Sequence, residues 1–206
     1  MRKAAAKLFG LAIAVSAIFV SVNAAESSAL VKYKITDENS IDKSLTGVDG
    51  DPDKGRALSI NRKKGNCLAC HVMPIPEQQF HGNIGPELHG VGERYSKGEI
   101  RLRIVNPKVV NSDTIMPAFY RNSGFTRTHK KFRGKTILSA QEVEDILSYV
   151  AMIGENYKVR SGDTLSQIAQ SNKASLRNIL VLNPALKGNP DKLNVGQEIV
   201  MPAGSN

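Results

Sequence analysis

Two thiols and an imidazole stand together in Cys67-Leu68-Ala69-Cys70-His71, and a Cys-x-x-Cys-His run has the spacing of covalent haem attachment. Thiols three positions apart fall on one side of a helical turn, so each can add to one of the two vinyl groups on a porphyrin edge. His71 is then the proximal iron ligand, held under the ring by the thioether links. Paired cysteines also serve as redox pairs or as half of a zinc site. Against both, the chain has only two cysteines, the pair is not set in a strand-helix-strand pattern, and a histidine follows at the haem-specific position. The expected cofactor is one covalently bound haem c.

An iron held by His71 has a second axial position to fill. After residue 24 the chain offers Met73, Met116, Met152 and Met201, with His81, His89 and His129 as rivals. Met73 is two residues from His71 and cannot easily reach the opposite face, Met152 falls in a periodic helix, and Met201 lies in a separate C-terminal module. Met116 sits 45 positions beyond His71 in Asn111-Ser112-Asp113-Thr114-Ile115-Met116-Pro117, a polar loop stopped by proline that can present a thioether to iron. The competing reading of Met116 is a gap-filling core residue. The three other histidines read as surface residues.

Between these ligands runs Ile84-Gly85-Pro86-Glu87-Leu88-His89-Gly90-Val91-Gly92-Glu93-Arg94-Tyr95. Its glycines let backbone pass close to a flat cofactor, and the Pro86 carbonyl can accept the second imidazole proton of His71, fixing the ring. Arg94 and Tyr95 are candidates to meet a haem propionate, with an exposed arginine as the alternative.

The elements that must position these groups are two helices, Asp51 to Lys64 and Ser139 to Ile153. Ser139 and Glu142 form a capping box, Leu138 and Val143 a hydrophobic staple, and Glu142, Glu144 and Asp145 suit the helix N-terminus. Val143, Ile146, Leu147 and Val150 make one apolar stripe, and Gly154 is expected to end the helix. Ahead of them, Arg2, Lys3 and Lys7 precede an apolar run from Leu8 to Val20 and the small residues around Ala24, the pattern of a cleaved export signal. An uncleaved anchor is the alternative, although the run is short for a membrane span. The expected location is the periplasm, where stray thiols would oxidise and haem attachment consumes both.

Loss of residues 1–24 would remove three of the 28 basic residues and none of the 19 acidic ones, taking the formal charge from +9 to +6. Nucleic acid is an unsuitable partner for an exported haem protein, and acidic proteins or small anions suit that charge better. Arg121, Arg127, Lys130, Lys131, Arg133 and Lys135 fall within fifteen residues that contain no acid, which reads either as a docking surface or as a solvated loop. The organisation expected is a signal peptide (1–24), an N-terminal extension (25–50), a cytochrome c domain (51–154) and a small C-terminal domain (155–204), joined by the short link Gly154-Glu155-Asn156.

Taken together, Gly65-Asn66-Cys67-Leu68-Ala69-Cys70-His71, Gly85-Pro86, Gly90-Val91, Met116-Pro117-Ala118-Phe119-Tyr120, Phe132-Arg133-Gly134-Lys135 and the Ser139 to Asp145 run resemble the SoxX cytochromes of thiosulfate oxidation. Ser44-Leu45-Thr46-Gly47 belongs to the same pattern. The resemblance implies a SoxA-like cytochrome partner, a SoxYZ-like carrier whose cysteine is coupled oxidatively to thiosulfate, and a soluble cytochrome as electron acceptor. The implied activity is that of a subunit of a heteromeric L-cysteine S-thiosulfotransferase. Both cysteines here are spent on haem, so the sulfur-bearing centre falls to the partner, and no residue of this chain is expected to be catalytic.

The C-terminal series Tyr157-Lys158-Val159-Arg160-Ser161-Gly162-Asp163-Thr164-Leu165, Ile168-Ala169, Leu180, Asn183, Leu193, Gly196 and Ile199 resembles a LysM module. Its pattern reads as a strand at Tyr157 to Val159, two short helices with Leu165, Ile168, Ala169 and Leu176, Ile179, Leu180 on their apolar faces, and a strand at Glu198 to Pro202. The resemblance implies binding of peptidoglycan, with Gly162, Asp163, Thr164, Leu165, Asn189 and Leu193 at the sugar. Asp163 and Gly162 have a structural alternative as helix cap and turn. The expected fold class is mainly α, a class I cytochrome c-like domain followed by a small α+β (βααβ) domain. The competing function is a plain wall-tethered electron carrier without sulfur chemistry.

Overall fold

The structure is a computed structural model that describes residues 30–37, 39–130 and 133–204. The expected signal segment and anchor alternative lie outside the described residues, as do Lys131 and Phe132 of the basic loop. Helix α1 spans Pro52–Ile60, α2 Val91–Arg94, α3 Lys97–Val105 and α4 Ala140–Val150. Strand β1 (Ile153–Lys158), helices α5 (Leu165–Ser171) and α6 (Leu176–Leu182) and strand β2 (Glu198–Pro202) follow.

Helix α1 starts because Asp51 accepts from the Asp53 and Lys54 amides and Pro52 is preset for a first turn. It ends at Ile60, shorter than its expected run to Lys64, since the Asn61 amide closes on Ala57 and Leu58 and the chain turns to Asn66 in the left-handed region, φ 47°. Helix α4 carries the expected capping box: Ser139 accepts from the Glu142 amide, and Glu142 reaches back to the Ser139 amide.

Helices α1 and α4 cross at a distance only glycine permits. A Cβ at Gly55 would run into the Asp145 carbonyl, and one at Gly50 into that of Glu144. Of the three acids of α4 expected at its N-terminus, Glu142 serves there and the other two do not. Glu144 and Asp145 sit in its second turn and are buried, where other groups need their charge. Asp145 accepts from the Asp51 amide at 2.9 Å. Glu144 forms a two-point pair with Arg101 of α3 at 2.9 and 3.0 Å, with side chains 4% and 6% exposed. Glu144 also accepts from the Leu45 amide, and Arg101 donates to the Ile41 carbonyl. Ile41 and Leu45 are buried, so residues just before α1 are clamped into the same core.

The chain leaves α4 without the glycine stop. Helix α4 ends at Val150 with Ala151 as its cap, and Gly154 lies buried inside β1. A Cβ there would approach the Met201 carbonyl at 2.7 Å and the Ala203 amide at 2.8 Å, so its small size serves strand packing. The expected link is therefore part of a strand. Strands β1 and β2 are antiparallel, with Asn156 opposite Val200 and Lys158 opposite Glu198, and an irregularity between Ile153 and Asn156. The first strand starts four residues earlier than its apolar pattern shows, and the last matches its expected bounds.

Two apolar clusters result. Val159, Leu165, Ile168, Ala169, Ile179, Leu186, Ile199 and Met201 fill the space under the sheet, while Leu176, expected on that face, is exposed at the start of α6. Ile153, Val181 and Leu182 instead join the larger cluster formed by α1, α3 and α4. Burying three such side chains contributes about 1.5–3 kcal/mol each, and it welds the two modules at their junction.

Candidate functional site

The Cys-x-x-Cys-His segment turns as a 3-10 helix, Cys67–Ala69, tighter than the α-turn its spacing implies. The Cys70 and His71 amides both close on the Cys67 carbonyl, at 3.1 and 2.9 Å, and buried Leu68 pins the turn to the core. The Cys67 thiol is pushed up to about 11, chiefly by burial, with a hydrogen bond from Ser59 opposing.

His71 is fixed from two directions. Its Nδ1 lies 2.6 Å from the Pro86 carbonyl, which makes Nδ1 the donor and leaves the Nε2 lone pair for a metal. Gly85 lies flat on the ring: a Cβ there would stand 2.7 and 2.9 Å from Nδ1 and Nε2 and collide with Cε1. The glycine thus admits the imidazole, where the sequence pointed to the cofactor. The loop is laced to the motif by the Gly82 amide on Leu68, Gly85 on Cys70 and Leu88 on Val72, at 2.7, 2.8 and 2.9 Å.

The exposed Arg94 guanidinium donates to the His89 and Glu87 carbonyls and so clips the loop behind Pro86. Tyr95 receives Arg103 on its ring, 4.2 Å from the centroid. The remaining histidines also have local work. His81 accepts from the Met73 amide and faces the Ile75 carbonyl, half-buried, and His89 pairs with Glu87.

Met116 is half-buried against the larger core, in a loop tied by Lys108 to the Ser112 and Thr114 carbonyls and by Thr114 to its own amide. Met73 is 2% exposed and Met201 is buried in the smaller core, while Met152 packs at the end of α4. Phe80, Ile84 and Ile115 are 87%, 65% and 75% exposed. They flank the His71 loop and Met116 in sequence, apolar surface that a porphyrin plane would cover. The residues fit a covalent haem: two thiols on one turn, an imidazole seated with a free nitrogen, and a thioether on a separate loop.

The basic loop is partly self-engaged. Arg121 donates to Ser123 and lies over the Phe125 ring, and Arg133 donates to the Thr128 carbonyl. Arg127, Lys130 and Lys135 are exposed.

In the C-terminal module Gly162 takes φ +85°, and Asp163 accepts from the Tyr157 hydroxyl at 2.9 Å and the Arg160 amide at 2.7 Å. Asp163 thus fastens the turn, and its carboxylate raises the Tyr157 phenol. Thr164 is the helix cap, in a reciprocal box with Gln167, and Leu165 is buried. Asn189 closes a turn onto Leu186, and Leu193 packs on the smaller core. A groove of about 590 Å³ lies elsewhere, lined by residues 156–161 with Val195 and Gly196. Asn183, read as a helix stop, also bonds both backbone groups of Val200, at 2.8 and 2.9 Å, and so ties β2 to α6.

Residues 52–153 match the cytochrome c family and residues 157–202 the LysM domain. The crystal structure of SoxXA from P. pantotrophus aligns with a TM-score of 0.54 and 35% identity, over 60% of this chain and 93% of that one. The endolysin of Bacillus phage PZA is 48% identical over 46 residues, and that of Bacillus phage B103 is 54% identical over 41. These matches take in 22% and 20% of this chain but only 17% and 15% of the two endolysins.

Fold and site together define a c-type cytochrome, which implies covalently bound haem c, followed by a LysM module. The chain belongs to the SoxX-like cytochromes and carries the LysM module fused at its C-terminal side. That pairing marks an extracytoplasmic protein.

Proposed function

We propose that this chain is the electron-accepting subunit of a periplasmic thiosulfate-oxidising complex of the SoxAX type, held at the cell wall by its LysM module. The observation that carries the reading is the 93% coverage of a chain of SoxXA at 35% identity. In the reaction, a carrier-protein thiolate and thiosulfate join through a new S–S bond, giving a cysteine S-thiosulfonate and two electrons. The partner, a SoxA-like cytochrome, holds the sulfur site, because Cys67 and Cys70 are committed to the cofactor and the chain has no third cysteine.

The haem supplies one-electron storage when bound. Cys67 and Cys70 would hold it covalently, and His71 and Met116 would supply its iron ligands. The Pro86 carbonyl orients the imidazole by accepting a hydrogen bond from Nδ1, and a thioether ligand would favour the reduced state. Arg127, Lys130 and Lys135 give an acidic carrier or a soluble cytochrome a cationic face to approach.

The test is co-purification with a cysteine-ligated cytochrome, followed by thiosulfate-dependent reduction of this chain's haem with the SoxYZ-like carrier present. Reduction that needs all three components is expected. A haem that stays oxidised in the complete mixture would leave a plain wall-held electron carrier.

A further inference from the structure

The strand pair that opens and closes the C-terminal module reaches the His71 loop through the fold. The Gly90 amide donates to the Gly154 carbonyl of β1 at 3.0 Å, and the Ala203 amide donates to the Met152 carbonyl at 2.9 Å. Gly92 of α2 lies against both: a Cβ there would collide with the Ala151 carbonyl and stand 2.7 Å from the Ala203 Cβ. The Glu155 carboxylate covers Gly90 on the side where Arg94 approaches. Arg94 then grips the His89 and Glu87 carbonyls, and the next residue back, Pro86, accepts the hydrogen bond from His71 Nδ1. On the opposite side of the junction, Val181 and Leu182 are buried in the cytochrome core, and Lys187 pairs with Asp53 at 2.8 Å.

We propose that the junction strands β1 and β2, with Ala203 just beyond them, are a brace for the proximal histidine. Gly92, Glu155 and Ala203 are positioning residues that, through Arg94, keep the Pro86 carbonyl on His71 and so hold the haem potential down. The physical reason lies in the ligand: an imidazole that donates a strong hydrogen bond from Nδ1 is a better electron donor at Nε2 and favours ferric iron. A loop released from the junction weakens that bond, so the potential rises. The inference rests on the reading of His71 as the iron ligand.

The test uses the full, haem-loaded chain and two junction variants. Gly92→Ala drives a methyl into the Ala151 carbonyl. Ala203→Val pushes from the other side, on the short tail beyond β2, and spares both cores. Gly188→Ala, whose Cβ would meet nothing within 4 Å, is the control on the LysM module. Covalent haem is verified by mass, the midpoint potential by redox titration and the Gly90 amide by hydrogen exchange. Either junction variant should raise the potential and expose the Gly90 amide together, while Gly188→Ala changes neither. Gly90 exposure with an unmoved potential in a folded variant overturns the brace while leaving the electron-transfer reading intact. A wild-type chain that carries no covalent haem overturns both.

Discussion

His71 shows how much of a ligand is made by its neighbours. The side chain is placed by the 3-10 turn at Cys67–Ala69, but its tautomer is set by Pro86 and its ring plane by Gly85. The Nδ1 contact leaves the Nε2 lone pair as the one nitrogen able to bind a metal, and it is set fifteen residues away in sequence. Met116 has a looser setting, half-buried in a polar loop. Met116→Ala is expected to abolish the methionine-to-iron charge-transfer band of the ferric protein while covalent haem is retained. Persistence of the band in that variant would assign the ligand to another methionine. That Met116 stands on a loop was legible from the polar run and its proline stop. The backbone bonds of Arg94 were not, because only the folded loop shows that the Glu87 and His89 carbonyls are in reach.

At the scale of elements, the haem segment is framed by α1, α3 and α4, and their assembly depends on one buried ion pair. Arg101 and Glu144 meet at two points and serve the Leu45 amide and the Ile41 carbonyl besides. Removing one partner leaves the other charge buried without compensation, at a cost of about 3–5 kcal/mol. Glu144→Ala is expected to lower stability by that amount in denaturant titration and to free the residues before α1 to proteolysis. A loss under about 1 kcal/mol would mean that water or relaxation relieves Arg101. The Ser139 and Glu142 capping box was plain in the sequence because it is a local pattern of four residues. The use of Glu144 was hidden because its partner lies 43 positions away, on a helix that its own sequence barely marks as amphipathic.

The whole molecule is one welded body at its junction. Ile153, Val181 and Leu182 belong to the cytochrome core, and β1 begins two residues after the cap of α4. A chain cut after Gly154 would strip those contacts, so wall binding is better tested with the protein intact. The full chain is expected to sediment with purified sacculi and to be released by soluble N-acetylglucosamine oligomers. Release by salt alone, with no response to the oligomers, would assign retention to the basic surface. With glycan held, the LysM module would carry its haem neighbour in a fixed orientation, since the residues between them are part of a strand.

By itself the sequence determined the cofactor chemistry, the two modules, the cap of α4 and the bounds of β2. Each of these is written in spacings of a few residues, where local hydrogen bonding and side-chain period decide the outcome. Only the tertiary structure decided what Gly85, Gly154, Arg94 and Glu144 are for, and that the expected link is a strand shared by two cores. Those outcomes depend on close approach between segments far apart in the chain, and a missing Cβ or a buried charge acquires meaning only from the group packed against it.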